Sequence, residues 1–209
     1  MEENLLIQSA GKGDLNAFNE LVLKYQNQAF NHASRLLGNH DIAEDITQEA
    51  FLLAFRRLYQ YRGGSFRAWL LKIVTNLCYS EMRTWKRNDF QALEPVNREG
   101  ETNESPPWLG DLTSLPEEQV EIGELHEQLE SIMNKLPSVY RTALSLVDIQ
   151  EFDYKEAATI MGVSVGTVKS RLARGRMQFR QIWNAQNIPD QDAFTVSKTK
   201  GEYHVNFIG

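Results

Sequence analysis

A single cysteine, Cys78, stands in 209 residues, so no internal disulfide can form and a reducing compartment is the expected setting. The four histidines, His32, His40, His126 and His204, are too scattered for metal-ligand spacing, and neither a metal nor a cofactor is expected. No apolar run approaches the roughly 18 to 20 residues that a membrane helix needs, and the Met-Glu-Glu start has the wrong charge for a secretory leader. A soluble cytoplasmic chain is the expectation. Also missing are a nucleophile paired with a base, a phosphate-cradling glycine loop and any internal repeat, so no enzyme chemistry is expected. Positive charge is in deficit too: the formal net charge is -6, which as a single number argues against nucleic acid.

Locally the charge reads differently. Arg56, Arg57, Arg62, Arg67, Lys72, Arg83, Lys86 and Arg87 face one acid, Glu81, whereas residues 94 to 130 hold eleven acids against Arg98. A second basic block, Lys169, Arg171, Arg174, Arg176 and Arg180, has no acid after Glu156. With a Debye length of about 8 Å at physiological salt, each block can act on its own partner.

The densest pattern lies at 153–180. Asp153 and Glu156 form a capping box for a short helix with Ala157, Ala158, Ile160 and Met161 as its apolar face. Gly162 ends it, and Ser164 starts a second helix in which Val165, Val168 and Leu172 face inward. Gly166, Thr167, Lys169, Ser170, Ala173 and Arg174 then face outward, with Arg171 and Arg176 on the flanks. Small residues allow close approach to a groove, and the cations reach base edges or phosphates. This reads as a helix-turn-helix with a DNA-recognition helix; a merely solvated basic face is the bland alternative.

Earlier residues show helical periodicity. Leu5, Leu6 and Ser9, then Phe18, Leu21, Val22 and Tyr25, then Phe30, Ala33, Leu36 and Leu37 form apolar faces, with Asp14 as a cap. Asp41 is expected to cap a helix whose inward face is Ile42, Ile46, Ala50, Leu53 and Phe51 or Ala54. Its first turns expose Glu44, Asp45, Gln48 and Glu49, either as ordinary N-terminal acids or as an acidic docking face. Arg62-Gly63-Gly64 is a loop and Ser65 a cap, followed by Phe66, Trp69, Leu70, Ile73, Val74 and Leu77 as core. Tyr59, Tyr61 and Trp85 interleave with cations, a pattern suited to single-stranded nucleic acid or simply to covering helix ends.

From Phe90 to Glu118 the composition turns to Glu, Asn, Pro, Gly and Ser and reads as a linker, with Trp108-Leu109 as a short anchor. Helical spacing returns with Val120, Ile122, Leu125, Leu129, Ile132, Met133 and Leu136. After Trp183 no helix is evident, and Val196 with Tyr203 to Phe207 can pair weakly as strands. The expected architecture is all-α: an N-terminal domain over 1–90, an acidic flexible linker over 91–122, a helix-turn-helix domain over 123–185 and a tail over 186–209.

The segments DIAEDITQEAFLLAFRRL, YRGGSFRAWLLKIVTNLCYSEMR and LPSVYRTALSLVDIQEFDYKEAATIMGVSVGTVKSRLARGR, in that order, resemble the extracytoplasmic-function class of RNA polymerase sigma factors. The likeness spans residues 10–88 and 125–183. It implies a protein without a catalytic centre that binds core RNA polymerase and promoter DNA and is commonly held by an anti-sigma factor. By the resemblance, Asp41, Glu44, Asp45, Gln48 and Glu49 would dock on polymerase. Tyr61, Arg62, Ser65, Phe66, Asn76, Arg83, Lys86 and Arg87 would open and hold the single-stranded -10 element. Thr167, Lys169, Ser170, Arg171, Arg174 and Arg176 would read the duplex -35 element, while the linker would run toward the RNA exit path. Ser80 stands where the family often has an acid, and the tail is longer than usual. A helix-turn-helix regulator that never touches core polymerase is the alternative; it would need neither the acidic block nor the Tyr61–Arg87 track.

Overall fold

A computed structural model describes residues 3–91, 128–185, 194–199 and 202–207. The expected linker, apart from Gln91, lies outside the described residues, as do Trp108-Leu109 and the helical positions Val120, Ile122 and Leu125. The N-terminal unit holds α1 (Glu3–Gly11), α2 (Leu15–Leu37), α3 (His40–Arg57), a short 3-10 turn (Leu58–Gln60) and α4 (Phe66–Gln91). The C-terminal unit holds α5 (128–135), α6 (Ser138–Leu144), a π-turn (Ser145–Ile149), α7 (Tyr154–Met161) and α8 (Val165–Ala185).

Local chemistry sets the helix ends. Asp14 accepts from the amides of Asn16 and Ala17 at 3.0 and 3.2 Å, and Gly38, in the left-handed region at φ 67°, closes α2. Asn39, not Asp41, caps α3, accepting from Ile42 N at 3.0 Å; Asp41 falls in the first turn instead. The expected face of α1 is turned by about one residue: Leu6, Ile7 and Ala10 are buried and Leu5 is exposed. Glu3 explains the turn, because its carboxylate pairs with Lys24 and accepts from Tyr25 Oη at 2.6 Å, pinning α1 on α2. In α3 the buried stripe is Ala43, Ile46, Thr47, Ala50, Phe51 and Ala54, with Ile42 and Leu53 only half-buried.

One apolar core runs through both units, from Leu21, Phe30, Phe66 and Val74 to Leu146, Ile160 and Val168. A polar seam accompanies it. Arg141, buried on α6, donates to the carbonyls of Arg35 and Leu36 at the end of α2 and to Asn134 and Leu136. Arg67 of α4 donates to the Gln150 carbonyl at 2.7 Å and stacks over the Phe152 ring at 4.2 Å. Tyr79 donates to Thr142 at 2.9 Å, and Arg35 pairs with Glu130 at 3.1 Å.

The all-α expectation describes both helical units, and the tail departs from it. Phe194–Thr199 (β1) and Glu202–Phe207 (β2) pair antiparallel, with Val196 opposite Val205 and Phe194 opposite Phe207. Apolar partners recur at alternate positions of the register, the period of a strand pair.

Candidate nucleic-acid interface and docking face

The helix-turn-helix forms as its residues dictate. Asp153 accepts from the amides of Lys155 and Glu156 at 2.7 and 2.8 Å, and Glu156 reaches back to the Asp153 amide at 3.3 Å. Gly162, at φ 64°, turns the chain, and Ser164 Oγ accepts from Thr167 N at 3.1 Å to start α8. On α8, Val168, Leu172 and Gly175 face the core; a side chain at Gly175 would meet Leu144 and Tyr140 at 3.3 Å. The opposite face is open. Lys169, Ser170 and Arg174 are exposed on it, together with Gly166, Ala173 and Met177.

The other candidates on α8 are engaged. Thr167 is half-buried, and its hydroxyl lies 2.9 Å from Ser164 Oγ, completing the cap. Arg171 is half-buried at the seam, where its charge acts on Tyr79; burial nevertheless raises that phenol's pKa. Arg176 donates through Nε to Asp148 at 3.0 Å, with a second bond from Nη2, and so ties α8 to the π-turn. Even the exposed Lys169 lies 5.5 Å over the Tyr154 ring, which orients its ammonium.

The loop before α4 is built on aromatic packing. Tyr61 Oη donates to the Gly64 carbonyl at 2.6 Å, and its ring meets Phe66 and Trp69 edge-on at 5.8 and 5.6 Å. Gly63 and Gly64 both carry φ near 90°, a backbone other residues rarely adopt. Ser65 caps α4, accepting from Ala68 N at 3.1 Å, and Arg62 is exposed. Phe66 corrects the expected site: it is fully buried against Tyr25, at 5.5 Å between ring centres, and presents no surface to a base. It holds Tyr61 in place instead.

Along α4, Lys72, Asn76, Ser80, Arg83 and Arg87 are all exposed. At about 100° per residue they fall within an arc of roughly 80°, over about 22 Å of helix. This makes a single polar and cationic stripe, and the neutral Ser80 leaves it uninterrupted by negative charge. The side chain of Lys86 lies outside the described residues.

On α3, Asp41, Asp45, Gln48 and Glu49 are exposed and Glu44 is half-buried, bonded to Gln48 at 3.3 Å. Sequence patterning alone gave no sign of what lies beside them. Leu15, Phe18 and Val22 of α2 and Phe51, Leu52 and Phe55 of α3 line an apolar groove of about 460 Å³ that Glu44 and Gln48 border. Leu15 and Leu52 are 61% and 60% exposed, so this surface combines acid with uncovered apolar area.

Among the described residues no cluster of three or more metal-ligating side chains forms, and no helix is long and apolar enough to cross a membrane. Cys78 is buried, its thiol pKa pushed up to about 12 by desolvation. Spacing singles out neither Arg141 nor Gln150, and places His32 only among scattered histidines and Arg67 only in the basic block. Their partners are distant in the chain, and the only local hint is a histidine beside the apolar residues Ala33 and Leu36.

The profile of sigma-70 region 2 matches residues 21–88, and that of sigma-70 region 4 matches residues 126–179. The ECF RNA polymerase sigma factor SigW of Bacillus subtilis is 35% identical over 176 residues, covering 84% of this chain and 93% of that one. SigE of Mycolicibacterium smegmatis, also an ECF RNA polymerase sigma factor, is 35% identical over 164 residues; the match covers 78% of this chain and 60% of that relative's length. Among solved structures, the sigma factor RpoE in complex with the anti-sigma factor NepR from Bartonella quintana superposes with a TM-score of 0.63 at 27% identity, covering 81% of this chain and 98% of that one.

Proposed function

Because this chain belongs to the extracytoplasmic-function class of RNA polymerase sigma factors, we propose that its three exposed surfaces divide the work of promoter-directed transcription initiation. The acidic face of α3, Asp41, Glu44, Asp45, Gln48 and Glu49, docks on core RNA polymerase. The adjoining groove adds apolar contact to that charge. The stripe on α4, with Tyr61, Arg62 and Ser65 at its head and Asn76, Arg83, Lys86 and Arg87 along it, takes the -10 element as a single strand. A flipped-out base costs a few kcal/mol, and stacking on the Tyr61 loop with phosphate contacts along the helix offsets it. Lys169, Ser170 and Arg174 of α8 read the duplex -35 element. Thr167 and Arg171 support that helix, and Arg176 positions it through Asp148.

The domains follow the same division: 1–90 for docking and -10 binding, 91–122 as the acidic connection, 123–185 for the -35 element, and 186–209 as a tail. An anti-sigma factor is the regulatory partner that this class and its structural neighbour point to.

The observation that carries the reading is the conjunction, in one chain, of an acidic, apolar-bordered face on α3 with two separate cationic helix faces. A regulator that ignores polymerase has no use for the first. Mixing the purified full-length protein with core RNA polymerase tests it: transcripts are expected from promoters that core alone ignores. Promoter binding by the free chain with no polymerase association would support the regulator instead.

A further inference from the structure

The seam between the two units encloses a histidine that the reading above does not use. His32 of α2 is fully buried. Its Nε2 lies 2.9 Å from Thr75 Oγ1 of α4, and its Nδ1 lies 2.9 Å from Gln150 Nε2 and 3.2 Å from Ser145 Oγ, both in the C-terminal unit. Thr75 gives its own proton to the Leu71 carbonyl at 2.7 Å, so its oxygen accepts from His32 and the ring proton sits on Nε2. Nδ1 is therefore the acceptor, and a second proton there would point at the Gln150 amide hydrogens.

The charged groups around the seam also oppose a cationic ring. Arg35 lies one turn along α2 with Glu130 of α5 already paired to it; Arg67 of α4 and Arg141 of α6 add two further cations, each engaged with backbone carbonyls. The neighbours Tyr79 and Cys78 on α4 are held neutral by burial. Desolvation first, and the Arg35 charge second, push the imidazole pKa down to about 3.

The segment that closes on His32 is itself unusual. It runs through the π-turn and then through Glu151, whose φ of 56° is left-handed without a glycine. In it, Gln150 and Phe152 hold Arg67, while Gln150 and Ser145 hold His32.

We propose that the His32–Gln150–Ser145 seam is a proton-linked latch: closed, it holds the two promoter-reading helices together, and protonation of His32 releases them. The consequence for promoter binding rests on the sigma-factor reading; the latch itself does not. When the seam parts, His32 meets water and regains an ordinary pKa of about 6.5. Its closed-state pKa is the lower one, so closure is fully favoured above about 6.5 and is lost as pH falls toward 3. Between pH 7.5 and 5.5 the opening equilibrium shifts about tenfold.

Amide hydrogen exchange on the full-length protein tests this at residues 145–152, corrected for intrinsic rates and referenced to α3. Opening of the wild type is expected to rise about tenfold from pH 7.5 to 5.5. His32→Gln should flatten that response, and Gln150→Ala, which leaves His32 in place, should raise opening at both pH values. A flat wild-type response, or an unchanged tenfold response in His32→Gln, overturns the latch. Should His32→Gln fail to fold, an imidazole titration of the wild type decides, since a ring that never protonates as the seam opens overturns it equally. Core-polymerase binding measured on the same samples keeps the two readings apart. A tenfold response without binding sinks only the sigma-factor reading, and binding with a flat response sinks only the latch.

Discussion

Two arginines two residues apart on α8 have opposite surroundings. Arg174 is exposed beside Ser170, whereas Arg176 is held by Asp148, itself only 8% exposed. Arg174→Ala is expected to weaken binding to -35 duplex by about 1–3 kcal/mol if it reads a base edge, or to lower the salt slope by about one unit if it touches a phosphate. Titrations with duplex at several salt concentrations distinguish these, and an unchanged footprint at the -35 position removes the assignment. Arg176→Ala should act chiefly on folding, because it removes two charge-assisted hydrogen bonds that tie α8 to a mostly buried carboxylate on the π-turn. A loss of about 1–3 kcal/mol in urea melts is expected, with the salt slope of the folded variant unchanged. A reduced slope without a stability change would return Arg176 to the DNA contacts. The same distinction applies to Phe66, which helical spacing places in the core and the family resemblance places in the -10 site; its burial agrees with the spacing and makes it the floor under Tyr61.

Helices α3, α7 and α8 show why some elements can be read from sequence and others cannot. Asp153, Glu156, Gly162 and Ser164 lie within one short stretch, and each acts on a backbone group two to four residues away. Such signals are local, and both helices, their turn, the buried Val168 and Leu172 and the exposed Lys169, Ser170 and Arg174 match the sequence reading, whereas Val165 and Thr167 are both half-buried. The face of α1 depends on Glu3 finding Lys24 and Tyr25, 21 and 22 residues on, and periodicity alone misplaced it. The seam is further still from local rules: His32 meets Ser145 and Gln150 across 113 and 118 residues, which no spacing encodes. For α3 the exposed acids were legible, but the groove beside them needed a second helix to exist. Reversing two of these charges, Asp45→Lys with Glu49→Lys, should abolish association with core polymerase. Both side chains are exposed, so helix content and Tm should stay near wild type. Co-purification at wild-type levels would count against this docking face.

At the scale of the whole molecule, continuity of the core implies that the two units unfold together. Arg141 is the main polar strut between them, and its guanidinium satisfies carbonyls at the end of α2 that would otherwise lie buried without donors. Burial lowers its pKa, opposed by Glu130, and the multiple carbonyl acceptors keep the charge tolerable there. Gly38 allows the approach, because a Cβ at that position would come within 2.9 Å of Asn134 Oδ1, the same oxygen that accepts from Arg141 at 3.1 Å. Wild-type protein should therefore melt in one calorimetric transition. Arg141→Ala is expected to lose on the order of 3 kcal/mol and to separate the N-terminal and C-terminal transitions. Gly38→Ala, which adds left-handed strain and displaces Asn134, should move in the same direction by about 1–2 kcal/mol. If Arg141→Ala keeps one transition at the wild-type temperature, the seam does not couple the units, and the shared apolar core alone holds them together.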